Sequence, residues 1–489
     1  MLFNSLSYAV FLPLVCLTYF ALPHRLRWAA LLAFSCYFYM SWNPELIVLI
    51  LFTTVVSWGS ALALERCSSK ALRRTICTVG IGLCLATLFF FKYFNFVSES
   101  VAALCRTFGF ALTPPVLDLI LPVGISFYTF QTLSYIVDVY RGDLAAEHHF
   151  GYYALYVSFF PQLVAGPIER AGRLLPQFRQ KHTFSTARCS AGLRKIGVGL
   201  FKKVVVADYV STFVNAVYND LGGKTGLTLI LATCLFGVQI YCDFSGYSDI
   251  AVGSARILGF DLMENFQSPY FARSIREFWR RWHISLTTWF TDYIYIPLGG
   301  SRCSRPRHLC NLVCTFFFSG LWHGASWTFV CWGLYHGLWL CAETCYGKKL
   351  DAVQTRLHGK PAGLALGIVR TLYTLCIVMV GWVFFRANSM ADAFYVLSNL
   401  ARGLNPLRLP EYAVSAGMGL PQLACTGLLL AVLALWDGVS YYKGDAMALV
   451  CRARPAVRYV FYWLLGTAIL LTLLLRPFGA AADFIYFQF

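Results

Sequence analysis

Long apolar runs, many close to the length needed to cross a bilayer, recur from one end of this chain to the other. They fall near 7–22, 27–42, 44–65, 76–95, 116–137, 151–168, 204–218, 226–242, 309–322, 325–345, 363–386, 420–440 and 459–475. A helix needs about 20 predominantly apolar residues to span the hydrocarbon core. Lipid offers no partner to an unsatisfied N–H or C=O, so such runs are forced into helices. Of the 489 residues, 58% are hydrophobic and 13% charged, about half the charged fraction of a soluble domain. The expected fold is an all-α polytopic membrane protein. About 11 transmembrane helices plus one or two re-entrant segments would form a single integral membrane domain over 1–489, with no repeat at fixed period.

The net charge of +17 could signal nucleic acid, but the lysines and arginines sit in short loops between apolar runs. That pattern fits the positive-inside rule and an anionic lipid surface, and no nucleic-acid recognition motif accompanies it. The basic stretches His24–Arg27, Arg66–Arg74, Arg170–Lys203, Arg273–Arg307, Lys348–Lys360 and Lys443–Arg458 are expected to face the cytoplasm. The N-terminus then lies outside and the chain sits in the cytoplasmic (inner) membrane. Met1–Leu22 lacks a basic n-region and an A-x-A site, so it reads as a retained first span. Run 151–168 is flanked on both sides by cytoplasmic charge. With two prolines and a glycine, FFPQLVAGP (Phe159–Pro167) is expected to be re-entrant, as is LPVGISF (Leu121–Phe127). Eighteen scattered cysteines without C-x-x-C pairs read as small apolar residues rather than metal ligands.

Chemistry concentrates between Glu264 and His336, a segment dense in charge, aromatics and histidine. His323 sits in FSGLWHGA (Phe318–Ala325), beside Trp322, with Gly320 and Gly324 at the spacing that lets another backbone approach. Imidazole titrates nearest working pH, so His323 is the candidate general base; the alternative is a structural histidine bonded to a carbonyl. His336 lies thirteen residues on. On one straight helix that is about 20 Å along and about 220° around, so either it is structural or the helix breaks between them. EFWRRWHISL (Glu277–Leu286) pairs Glu277 with Arg281 at i, i+4. If helical throughout, it places Trp279 with His283 on one face and Phe278 with Trp282 on another. It reads either as an interfacial helix with tryptophans at headgroup depth or as a basic mouth for an anionic donor, with Glu277, Arg280, Arg281 and Trp282 lining it. In QIYCDFSGYSDIAVG (Gln239–Gly253), Asp243 stacks with Tyr247, and Asp249 points elsewhere. Carboxylates at this depth need partners, which the 273–281 region could supply. No G-x-S-x-G or G-x-G-x-x-G is present, and GGKTG (Gly222–Gly226) has Tyr218 where a P-loop needs glycine.

Together, LPVGISFYTFQTLSYIVDVYRGD (Leu121–Asp143), FFPQLVAGPIER (Phe159–Arg170), YCDFSGYSDIAVG, MENFQSPY (Met263–Tyr270), REFWRRWHISLTTWFTDYIYIPLGGSR (Arg276–Arg302) and GLWHGA resemble the membrane-bound O-acyltransferase superfamily, in its bacterial alginate O-acetyltransferase-like branch. They make a motif core over 120–340; the peripheral spans 1–110 and 350–489 match mainly as hydropathy. The resemblance implies a funnel or pore, His323 as the invariant histidine and His283 as the second. It also implies transfer of an acyl group, usually acetyl, from a cytoplasmic thioester donor (acetyl-CoA or an acyl carrier protein) to a hydroxyl of an exported polymer, often through a periplasmic partner. No bound cofactor or metal is expected. Trp322, Asp243, Tyr247, Asp249, Glu277, Arg280, Arg281 and Trp282 are the tunnel or donor-binding candidates. Cys242 and Thr291 depart from the family pattern beside the presumed tunnel. D-alanyl transfer, a transporter and a non-catalytic scaffold are the alternatives.

Overall fold

The computed structural model describes residues 1–164, 166–357, 359–475 and Phe484, and every regular element among them is helical. Among the described residues, six helices are long and apolar enough to cross a membrane: Pro44–Arg66, Lys70–Thr107, Gly226–Leu258, Pro361–Arg386, Leu420–Lys443 and Pro455–Leu475, with Leu6–Ala21 a shorter apolar helix. A long, tryptophan-rich hairpin, Arg305–His323 and Trp327–Arg356, carries the GLWHGA motif at its tip. The protein is a multi-pass membrane protein.

Run 151–168 does not form a spanning helix. Phe150–Ser158 ends at Phe159, whose backbone leaves the helical region, and Phe160–Leu163 adds one short turn. Nine residues rise about 14 Å, less than half the hydrocarbon core. The break falls where Pro161, Gly166 and Pro167 predict it. Leu121–Phe127 differs from the re-entrant expectation. Its first half is irregular, and Gly124, at φ 75°, starts a regular helix, Ile125–Arg141.

The chain forms two compact units, Met1–Ile196 with Tyr247–Met263, and Gly197–Gly246 with Glu264–Phe489. In the first, Ile47–Arg66 packs on Lys70–Leu88 and Ile125–Arg141. Tyr153 donates to Ser57 Oγ at 2.7 Å, and Arg179 pairs with Glu147. The first unit also contains a close helix crossing. A Cβ on Gly192 would lie 2.6 Å from the Gly253 carbonyl, and one on Gly253 would lie 2.7 Å from the Gly192 carbonyl. Only glycine admits that approach, and it lets Lys195 reach Asp249 at 3.2 Å.

In the second unit a π-helical turn, Phe201–Ala207, interrupts the helical stretch that runs from Thr186 to Tyr218. Lys203 lies in this turn, nearly fully buried, with Nζ 2.6 Å from Asp243 and 2.9 Å from Asp208. The expectation that Arg273–Arg281 would supply partners for the aspartates is therefore corrected. The partners are lysines from the helix that precedes them, because close backbone packing brings those side chains into reach.

Gly253→Leu is expected to force that crossing apart, at about 1–3 kcal/mol for an overpacked contact. Thermal unfolding in detergent checks this: the variant should melt several degrees below wild type, whereas Gly82→Leu, where a Cβ meets nothing within 4 Å, should not.

Candidate functional site

The hairpin tip fixes His323. The helix Arg305–His323 opens with Pro306 in its first turn and ends at His323, because Gly324 is extended at φ −165°. The returning helix starts at Trp327, capped by Ser326 Oγ on the Thr328 N–H. The break falls between the two histidines, so the straight-helix geometry does not apply. The arms close through Gly320 and Gly333. A Cβ on Gly320 would sit 2.3 Å from the Phe329 carbonyl, and one on Gly333 would sit 2.3 Å from that of Phe316. The close approach that Gly320 and Gly324 suggested is made by Gly320 with Gly333. Phe329 rather than a backbone covers Gly324.

His283 is held by a different device. Ser274 Oγ accepts from the Glu277 N–H at 3.0 Å while Glu277 accepts from the Arg273 N–H at 2.9 Å, a reciprocal cap. The helix Ile275–Arg281 then stops; Trp282 is extended and His283 is left-handed at φ 45°, ψ 55°. For a residue with a Cβ that conformation costs about 1–2 kcal/mol. Asn265 clamps it. Its backbone oxygen accepts from the Ile284 N–H at 3.0 Å and its Oδ1 from the Ser285 N–H at 3.2 Å, while the Gln267 N–H reaches the Arg281 carbonyl. The expectation of one helix with Trp279 and His283 on a shared face is thus corrected. The tryptophans are also not presented to lipid on a surface helix. Trp279 and Trp282 are buried, Trp282 between Phe266, Phe278 and Trp382. Phe316, Trp332 and His336 cover the Trp279 indole.

These two arms bring the histidines to one aromatic cluster. Trp322 lies between them, its ring 5.8 Å from that of His283 and 5.0 Å from that of His323. Trp332 and Phe385 close on His323 at 4.9 and 5.1 Å, and Phe244 closes on His283 at 4.5 Å. Both histidines are at most 4% exposed. A low-dielectric shell of this kind strengthens each polar interaction made inside it.

A cavity of about 900 Å³ opens in the same unit, with Arg276, Arg280, Arg305, His308 and Lys348 on its wall and Trp279 and Phe316 among its apolar lining. A second cavity of about 350 Å³ shares Arg276, Arg280 and Glu343 with it and adds Arg273 and Arg370. Burial raises the phenol of Tyr295, which lines the larger cavity, above its ordinary value, so it stays neutral.

Of the residues singled out by sequence, His323, His283, Trp322 and Trp282 join one aromatic cluster, and Arg280 lines both cavities. Glu277 lines the smaller cavity, but its carboxylate also binds Arg281 at 2.9 Å and the Tyr441 hydroxyl at 3.1 Å. Arg281 stacks over Tyr441 at 4.5 Å. Asp243 is engaged by Lys203. Tyr247 and Asp249 are held within the first unit, by Asn4 at 3.3 Å and by Lys195. Thr291 lines the larger cavity and Cys242 is fully buried. Sequence reasoning missed Asn265, Lys203, Phe385 and the cavity residues Arg276, Arg305 and Lys348, and noted Trp332 only as a neighbour of His336. Only Arg276 carried a signal, one helical turn before Arg280.

The profile of the membrane-bound O-acyltransferase family matches residues 143–385. The chain is 38% identical over 388 residues to a probable alginate O-acetylase of Azotobacter vinelandii, covering 79% of this chain and 74% of that protein. It is 33% identical over 443 residues to a peptidoglycan O-acetyltransferase of Helicobacter pylori (84% and 81%). Over 273 residues it is 27% identical to a teichoic acid D-alanyltransferase of Bacillus subtilis (54% and 68%).

Lys203→Met is expected to leave two buried carboxylates facing each other, a loss of about 3–5 kcal/mol. Urea or thermal denaturation in detergent should show it. Retention of wild-type stability would mean that the Lys203 ion pairs contribute nothing to the fold.

Proposed function

The chain belongs to the membrane-bound O-acyltransferase family and is an acyltransferase, and we propose that it moves an acetyl group from a cytoplasmic thioester onto a hydroxyl of a cell-envelope polysaccharide or a periplasmic acceptor protein. The observation that carries this reading is the pairing of two buried histidines across Trp322 in the same unit as a cavity walled by arginines and lysine. Arginine clusters suit phosphate groups, which they contact bidentately, and both candidate donors, acetyl-CoA and an acyl carrier protein, bear phosphate on a pantetheine arm.

In the proposed reaction His323 takes the proton of the acceptor hydroxyl as its oxygen attacks the acyl carbonyl. The C–S bond breaks, the acyl group passes to the acceptor oxygen, and the proton returns to the departing thiolate. His283, on the far side of Trp322, is the second hydrogen-bonding group of the site. Its left-handed backbone and the Asn265 clamp hold it in one orientation, and such preorganisation is what transition-state stabilisation requires. The basic loops support an orientation in the inner membrane with the cavity toward the cytoplasm and the N-terminus outside. The two O-acetylating relatives support a polysaccharide acceptor and acetyl as the group transferred. D-alanyl transfer is the second reading. It rests on the Bacillus subtilis relative, which matches a shorter part of this chain at lower identity.

Purified protein, wild type and His323→Ala, given labelled acetyl-CoA or an acetylated carrier protein, tests this. Wild type should consume the thioester, and the alanine variant should be slower by about 10²–10⁴, the range for loss of a general base. Equal rates in two well-folded proteins would remove His323 from the reaction. Turnover only with a D-alanyl carrier thioester would select the second reading.

A further inference from the structure

The wall of the larger cavity carries a thiol that the proposed reaction does not use. Cys345 lines it beside Thr344 and Lys348, on the helix Trp327–Arg356. The side chain is exposed, and among the described residues it is the one cysteine on that wall. It differs from its neighbours in what holds it. Arg305, the first residue of the opposite arm and also on the wall, donates from Nη2 to Cys345 Sγ at 3.2 Å. The thiol in turn donates to the Cys341 carbonyl, 3.5 Å away. Cys341 itself donates to the Leu309 carbonyl at 3.4 Å, and Cys310 and Cys314 face each other at 3.9 Å between sulfurs. None of those three lines the cavity.

The charge around Cys345 has one dominant sign. Among the described residues the lining holds four permanent cations, Arg276, Arg280, Arg305 and Lys348, against a single carboxylate, Glu343, which accepts from the Arg276 N–H at 3.1 Å. A concave wall of one sign concentrates counter-ions and raises their rate of encounter by about 10–10³. Reactive cysteines sit in partly exposed, electropositive surroundings of this kind. Thirteen residues of helix, about 20 Å, separate Cys345 from Trp332, which packs on His323. Cys345 is therefore too far from the candidate base to carry an acyl group in transit, and its part is control of access.

A molecule that joins negative charge to an electrophilic sulfur meets both features of this wall. We propose that Cys345 is a site of S-thiolation by an anionic low-molecular-weight disulfide, of which coenzyme A disulfide and glutathione disulfide are the two sources. The Cys345 thiolate attacks one sulfur of the disulfide. A new S–S bond forms to Sγ and the old S–S bond breaks. The other half leaves as a thiolate, beside the Arg305 guanidinium, and takes up the proton that Cys345 gave. One disulfide is exchanged for another, so the step needs no further oxidant. The adduct occupies the cavity, and acyl transfer stops until a free thiol reverses the exchange. That consequence rests on the reading of the cavity as the donor's.

The test treats full-length protein in detergent with coenzyme A disulfide, glutathione disulfide and the cationic disulfide cystamine at equal concentration. Intact mass and peptide mapping give the rate and position of the adduct without any turnover. A single adduct at Cys345 is expected, forming about tenfold faster with the anionic disulfides than with cystamine. Added salt should shrink that difference, and Arg305→Ala should lose most of it. The faster of the two anionic disulfides identifies the source of the modifying group. Thioester turnover of each protein is compared with its own untreated rate. Wild type should lose turnover as the adduct forms and regain it with dithiothreitol, and Cys345→Ser should lose none. Modification spread over Cys310, Cys314 and Cys341, an intramolecular disulfide in place of the adduct, or equal rates for anionic and cationic disulfides overturns the proposal. A single adduct at Cys345 that leaves turnover intact would keep the site and overturn the reading of the cavity as the donor's route.

Discussion

The contact between Gly320 and Gly333 sets most of what surrounds His323. Two antiparallel helices normally keep their axes about 8–10 Å apart, the spacing depending on the side chains between them. Here neither glycine offers a side chain, and each would drive a Cβ into a carbonyl of the opposing arm. The consequence is geometric. Once the arms are this close, Trp332 on the returning helix must lie against His323 at the end of the outgoing one. The extended Gly324 and the Ser326 cap confine the reversal to a few residues, so the histidine cannot drift along its helix. Membrane helices gain little from apolar burial against one another, since lipid is as apolar as leucine. Close backbone packing is the interaction left to hold the hairpin, and the aromatic shell depends on it.

The same economy of charge governs the rest of the second unit. Burying an ammonium or carboxylate alone costs several kcal/mol even after relaxation, and a chain with 13% charged residues places few of them inside. Lys203 is buried only because Asp208 and Asp243 lie within 3 Å of it. The π-helical turn at Phe201–Ala207 inserts an extra residue and rotates the side chains that follow; such turns often occur at functional sites. Asp243 precedes Phe244, whose ring packs on His283. The ion cluster therefore braces the helix that supports the second histidine, and its contribution to the site is mechanical.

Legibility in the sequence followed periodicity and failed at breaks. Apolar runs predicted helices, and the break at Pro161 to Pro167 could be read because proline removes a donor and fixes φ. His323, His283 and Trp322 could be singled out because histidine and tryptophan stand out against leucine. The left-handed turn at His283 could not. Histidine is enriched among left-handed residues, yet few histidines adopt that backbone, and the clamp that holds this one, Asn265, lies eighteen positions earlier. The same blindness misplaced the tryptophans. Helical spacing put Trp279 and Trp282 on a lipid-facing surface, whereas aromatic side chains from distant segments cover both. The aspartates' partners were invisible for another reason. Charge alone could not choose among several basic stretches, and the choice was made by close glycine approaches, Gly192 with Gly253 beside Asp249 and Gly199 with Gly246 beside Asp243.

The separation between the basic cavity and the dry histidine pair follows from what each must do. A phosphate-bearing donor is recognised by exposed arginines in contact with water, where guanidinium is solvated without penalty. A histidine acting as base works best where water is excluded and its neighbours are fixed. The two requirements cannot be met at one depth, so something must connect them. In this protein a packed series of rings, Trp279, His336 and Trp332, lies between the cavity wall and His323. A purely aliphatic wall would fill the same space and leave no polar atom unsatisfied.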